Sequence, residues 1–262
     1  MVVLSWFSCG VTSAVATKIA TEIYDNVKIC YFDTGAAHPD NKRFLKQCEK
    51  WFGQKIEIYK SERFSDPLDV AKKRRWLNGI GGAKCTTELK KKLRFKIEKE
   101  NDYSAQVFGF EYGKREINRA LRFVEQYPDT RPVFPLIQRK LKKRECLHIL
   151  ERAGIARPAM YAMGYKNNNC IGCFKGATGY WNKIRIDFPD VFDKTAKLER
   201  ELGASCINGK FLDEIPMDAG HTLKEIMPSC DIVCDLELKD LKVYDIDDAI
   251  KQLQGELNAT AT

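Results

Sequence analysis

An α/β fold, with a Rossmann-like parallel sheet carrying helices on both faces, is predicted by three features of this sequence. Short apolar runs alternate with segments whose apolar residues recur at helical spacing. The first run passes through a small polar turn directly into a helix. At 262 residues the chain is long enough to bury one large core or two modest ones.

The first strand is expected at 2–7, where Val2, Val3, Leu4, Trp6 and Phe7 form a run of buried-strand type. A helix follows at 13–24, with Ala14, Ala16, Ile19, Ala20 and Ile23 on one face. The second strand, 27–32, is apolar, then acidic at Asp33, and Thr34-Gly35 closes its turn. A helix at 40–52, a strand at 56–59 and a helix at 67–77 continue the alternation. Gly79-Ile80-Gly81-Gly82-Ala83 breaks it as a loop whose glycines let the backbone pass close to a neighbour. A helix at 86–99, a strand at 105–108 and helices at 116–123 and 140–153 come next, the last ended by Gly154. An irregular segment then runs from Arg157-Pro158 to Asn167-Asn168-Asn169-Cys170. Beyond it, 180–202 is an amphipathic helix interrupted near Pro189. A soft boundary near residue 165 separates an α/β domain, 1–165, from a smaller, mostly helical, cysteine-rich region, 166–262.

The turn Ser8-Cys9-Gly10-Val11-Thr12-Ser13 has the composition of an anion cradle. Gly10 allows close backbone approach, Ser8, Thr12 and Ser13 offer hydroxyls, and the unpaired N–H groups at a helix start attract phosphate or sulfate. The bland alternative is a Gly/Ser turn of the kind any α/β protein has after its first strand. Net charge is +8, and Lys72-Lys73-Arg74-Arg75, Lys90-Lys91-Lys92 and the cluster from Arg139 to Arg144 favour polyanionic partners without choosing between nucleotide and nucleic acid. No stretch has the length and purity of a membrane span and the apolar start lacks a basic n-region, so a cytoplasmic protein is expected. Ten cysteines in such a setting point to metal or redox chemistry rather than disulfides. Cys170-Ile171-Gly172-Cys173 is a two-pronged sulfur site suited to zinc, an iron–sulfur cluster or a dithiol switch. Cys85 opens a helix, where the dipole favours a thiolate. Cys30, Cys48 and Cys146 read as small buried apolar residues, and Tyr161, Tyr165, Tyr180 and Trp181 as packing around the sulfur site.

Ser-x-Gly-x-polar after the first strand, Asp33-Thr34-Gly35 with His38-Pro39-Asp40 after the second, Cys85-Thr86-Thr87-x-Leu89-Lys90, and Cys170-x-x-Cys173 together resemble the phosphoadenosine phosphosulfate (PAPS) reductase family. That family lies within the adenine-nucleotide alpha-hydrolase, or PP-loop, group, and the likeness covers most of residues 1 to 235. It implies a nucleotide site formed by Ser8, Cys9, Gly10, Thr12, Ser13, Asp33, Thr34 and Gly35. It also implies a 4Fe-4S cluster on Cys85, Cys170 and Cys173. Where the family has a paired Cys-Cys this sequence has Lys84 before Cys85, so the fourth ligand is Cys234, or Cys230, or absent. Relatives that cleave ATP carry aspartate where this chain has Thr12, which leans toward a ready-made sulfonucleotide.

On the reductase reading, Lys90 or Arg115 neutralises the sulfate. Cys230 attacks sulfur, and a thioredoxin-type reductant resolves the adduct. Two alternatives stay open: ATP-dependent, cluster-assisted thiolation of tRNA or DNA, and a nucleotide-binding regulator without catalysis. The expected partners are an adenine nucleotide (PAPS or ATP) and a second copy of the chain in a homo-oligomer.

Overall fold

The computed structural model describes residues 1–79, 82–207 and 209–220. Its centre is a five-stranded sheet of β1 (Val2–Trp6), β2 (Val27–Asp33), β3 (Glu57–Lys60), β4 (Tyr103–Val107) and β5 (Pro132–Val133). The strand order is β3-β2-β1-β4-β5 and every pairing is parallel. The chain therefore winds outward from β1 through β2 to β3, then crosses back to lay β4 against the other side of β1. The C-terminal ends of β1 and β4 flank the reversal, and a crevice opens there.

The helices in order are α1 (Val11–Ile23), α2 (Asn41–Phe52), α3 (Pro67–Arg74), α4 (Lys84–Thr86), α5 (Lys92–Glu100), α6 (Lys114–Gln126), α7 (Pro135–Gln138), α8 (Lys143–Arg152), α9 (Ala159–Ala162), α10 (Thr178–Asp187) and α11 (Pro189–Leu202). Strand alternation sends the side chains of β1 and β2 to two separate cores. Val3, Val27, Ile29 and Tyr31 pack with α1, α2 and α8. Leu4, Trp6, Cys30 and Phe32 pack with α5 and α6. Both cores are apolar, which is why these strands read as continuous apolar runs. Two polar pairs lie inside: Ser5 Oγ with Thr17 Oγ1 at 2.8 Å, and the Trp6 indole N–H donating to Gln106 at 2.8 Å.

A third apolar cluster gathers Ala71, Leu77 and Met160 with Tyr165, Cys173, Phe174, Tyr180, Trp181 and Phe192. It draws on residues from both sides of position 165.

Several expected boundaries shift for local reasons. The helix expected over 67–77 ends at Arg74 because Arg75 turns left-handed, at φ 50. The helix expected over 86–99 starts at Lys84 and loosens into a π-helical stretch, Thr87–Lys91, before α5. The helix over 180–202 is interrupted where expected: Phe188 leaves helical geometry and Pro189 starts α11. Strand β5 and helix α7 carry no sequence signal, being two and four residues long and headed by Pro132 and Pro135. Among the described residues no helix is long and apolar enough to cross a membrane.

Candidate functional site

The turn between β1 and α1 lies at the sheet reversal. Cys9 adopts φ 62, a left-handed conformation rarely taken by side-chain-bearing residues, and this lets Gly10 enter α1 from extended geometry. Ser13 organises the turn. Its Oγ accepts from the Ser8 N–H at 3.1 Å, the Ser8 hydroxyl at 3.0 Å and, more weakly, the Gly10 N–H at 3.3 Å, and donates to the Gly10 carbonyl at 2.9 Å. The loop after β4 presses directly on it. A methyl group at Gly109 would come within 2.6 Å of Ser13 Cα and 2.8 Å of Ser13 N, so only glycine lets the two chain ends meet.

Above this turn opens a cavity of about 510 Å³. Ser8, Gly10, Thr12 and Gly109 contribute to its lining from the cradle, Lys114, Arg115 and Arg119 from the start of α6, and Lys142, Lys143 and Lys166 from beyond β5. Arg119 is buried, ion-paired to Glu116 at 2.6 Å and set 4.8 Å from the Phe110 ring centroid. A smaller cleft of about 80 Å³ adjoins, also touching Ser8, Thr12 and Gly109, with Trp6, Phe32, Phe108 and Phe110 as apolar walls and Lys90 at its edge. A cationic chamber beside an aromatic slot, joined across one glycine-serine turn, suits a ligand with an anionic end and a flat apolar end.

The sequence-predicted residues are thus partly brought together. Ser8, Gly10, Thr12, Lys90 and Arg115 line one or both cavities, while Ser13 shapes the turn from beneath and lines the smaller one. Cys9 belongs to the loop through its backbone. Its side chain is wholly buried, with the thiol 3.8 Å from the Asn41 carbonyl, so only its backbone belongs to the loop. Burial raises that thiol well above its ordinary value, with Cys48 and Asp40 adding to the effect, and it remains protonated. Asp33, Thr34 and Gly35 stand outside the lining of both cavities. Burial pushes the Asp33 carboxyl up, but Lys60 at 2.8 Å and the Gly35 N–H at 2.9 Å outweigh it and hold the group below its ordinary value. At Gly35, φ is 74 and a methyl group would meet the Ser65 carbonyl at 2.0 Å.

The Cys-x-x-Cys segment comes to the end of β2. The Ile171 N–H donates to the Ala36 carbonyl at 2.8 Å, and Cys170 Sγ lies 2.9 Å from the Thr34 hydroxyl. Gly172, at φ 74, turns the chain between the two cysteines, and the Tyr180 hydroxyl bridges their backbones by accepting from the Cys173 N–H and donating to the Cys170 carbonyl. Cys85 packs half-buried against the apolar cluster that contains Cys173 and Cys206. Among the described residues, however, no three Cys, His, Asp or Glu side chains converge as a metal-binding group. Cys230 and Cys234 lie outside the described residues.

Tyr165, Tyr180 and Trp181 are buried packing residues, as expected. Tyr161, partly buried against the first core, also lines the large cavity and approaches the start of α1. No periodicity or spacing marks a tyrosine that acts 150 residues away from its partner. Lys142 and Lys143 were visible only as part of a basic cluster.

Two comparisons agree with this arrangement. The model of the phosphoadenosine phosphosulfate reductase domain matches residues 2–178, a span that contains the cradle, the aromatic slot and the Cys-x-x-Cys segment. An uncharacterized protein of Methanocaldococcus jannaschii is 21% identical over 201 residues, covering 75% of this chain and 47% of that relative. The chain therefore spans about half the length of the curated relative it matches. With parallel sheet, cradle and cationic chamber in the places that this match spans, the chain belongs to the phosphoadenosine phosphosulfate reductase domain family.

Proposed function

We propose that the protein is an enzyme that binds an adenine sulfonucleotide across the two cavities and transfers or reduces its sulfur. The carrying observation is the junction itself: the Ser8 to Ser13 turn lies between a chamber lined by Lys114, Arg115, Lys142, Lys143 and Lys166 and a slot walled by Trp6, Phe32, Phe108 and Phe110. The anionic end of the nucleotide occupies the first and the purine the second. Thr12, in place of an acid, leaves the cradle neutral toward a bound anion.

Reduction then needs a thiolate to attack the sulfur atom, forming an S–S bond while the oxygen of the departing nucleotide phosphate takes the bonding pair. Two electrons from a dithiol of thioredoxin type release sulfite and regenerate the thiol. Cys230 is the proposed nucleophile, with Lys90 and Arg115 balancing the anion. A 4Fe-4S cluster on Cys85, Cys170, Cys173 and Cys234 is proposed separately, and iron and acid-labile sulfide near four per chain would support it.

The cationic chamber also favours a second reading, in which ATP activates a nucleic acid for thiolation. One assay distinguishes them. Reduced protein is incubated with PAPS and dithiol, or with ATP and nucleic acid, and sulfite, pyrophosphate and AMP are followed. Sulfite from PAPS supports the reductase and pyrophosphate with AMP supports the thiolase. Neither product, with nucleotide still bound, leaves a non-catalytic binder.

A further inference from the structure

Helix α9 is a single short turn, yet it is anchored from several directions. The Asp40 carboxylate accepts the Ala159 N–H at 2.9 Å and is gripped in two places by Arg43, at 2.6 and 2.7 Å. Arg43 also donates to the carbonyls of Ala156 and Arg157, just ahead of the turn. Downstream, Asn168 Nδ2 donates to the Cys9 carbonyl and to Asn41 Oδ1, both at 2.8 Å. The segment is therefore tied to α2 and to the anion loop on both sides of Tyr161.

These ties bring the Tyr161 hydroxyl over the start of α1. Its oxygen lies 3.4 Å from Val11 N and would be 3.6 Å from a methyl group at Gly10. It accepts backbone N–H bonds from both Val11 and Asn168. A phenolic oxygen that accepts twice still has one proton to donate, and this residue lines the large cavity next to Ser8, Gly10 and Thr12.

We propose that Tyr161 is a fourth wall of the cradle, donating its O–H to an oxygen of the phosphate or sulfate seated on the Ser8 to Ser13 turn. This rests on the nucleotide reading above and adds a contact from outside the loop. Burial raises the phenol to about 12, so it stays a donor at neutral pH. A neutral donor strengthens anion binding without adding charge, and its bond to a charged acceptor is among the stronger kinds.

The test is calorimetric titration of wild type and Tyr161→Phe with PAPS, ATP and adenosine, alongside thermal unfolding. The variant keeps the ring and removes one oxygen. A loss of about tenfold or more for PAPS or ATP, with adenosine affinity unchanged, is expected. Unchanged anion affinity, or an equal loss for adenosine and a lower melting temperature, overturns the Tyr161 role and leaves the nucleotide reading intact. Wild type that binds neither PAPS nor ATP removes both.

Discussion

Asn168 links the Ser8 to Ser13 loop to the cysteine segment, yet the two are held in shape by different means. In the loop, the organising contacts join Ser8, Gly10 and Ser13, no more than five residues apart. In the cysteine segment they join Thr34 to Cys170 and Ala36 to Ile171, and the apolar bed beneath draws on Ala71, Met160, Trp181 and Leu212. A locally bonded loop depends chiefly on its own residues and on the few backbone contacts that meet it, such as Gly109 on Ser13. A site resting on distant packing changes whenever the core beneath it does.

That contrast can be broken most directly at Trp181, which is fully buried under the cysteine segment. Trp181→Ala should cost about 3–5 kcal/mol in denaturant unfolding. Cys173 should become more reactive toward a thiol reagent while nucleotide affinity in the remaining folded protein stays near wild type. Equal damage at both ends would show that the loop is not self-supporting.

The next largest effect is expected at Gly109, where an added methyl group meets the Ser13 backbone rather than a movable side chain. Gly109→Ala should cost about 2 kcal/mol of stability and lower nucleotide affinity, with thiol reactivity at Cys173 unaltered. Ser13→Ala removes the hydroxyl that the Ser8 and Gly10 groups share. About 1–2 kcal/mol should be lost, and calorimetry should show weaker binding of ATP or PAPS.

The smallest effect sharpens the comparison through pH. Arg43 holds the Asp40 carboxyl below its ordinary value, helped by the Ala159 N–H against a modest burial penalty. A carboxylate lowered in the folded state adds stability above its unfolded value, near pH 4, and loses it as pH falls through the lower folded value. Asp40→Asn should therefore cost about 1 kcal/mol at neutral pH, and the difference from wild type should shrink as both are acidified below about pH 4. A difference that persists unchanged into acid would remove the ion pair as the anchor of α9.

Particular elements explain how much was legible beforehand. Strands β1 and β2 announced themselves because both faces are buried, and α1 because its apolar face is periodic. Pro189 announced the break between α10 and α11 by stereochemistry alone. The two-residue β5 has too few side chains to form a pattern, and it is a strand only because β4 offers its Gln106 and Val107 as partners. Cys9 could be placed in the loop from sequence, but the burial of its side chain was decided by the fold, because sequence gives position along the chain and not the direction of a side chain.

The sequence by itself determined the alternating α/β build, the glycine-serine turn and the sulfur-rich segment, since each depends on residues within one or two turns of chain. Tertiary structure alone decided that the sheet reverses beside that turn, that Gly109 closes on Ser13, that Arg115 and Lys143 face one chamber, and that Tyr161 stands over Gly10. Those juxtapositions join residues up to 150 positions apart, and they arise only when burial of two apolar sheet faces brings the distant segments together.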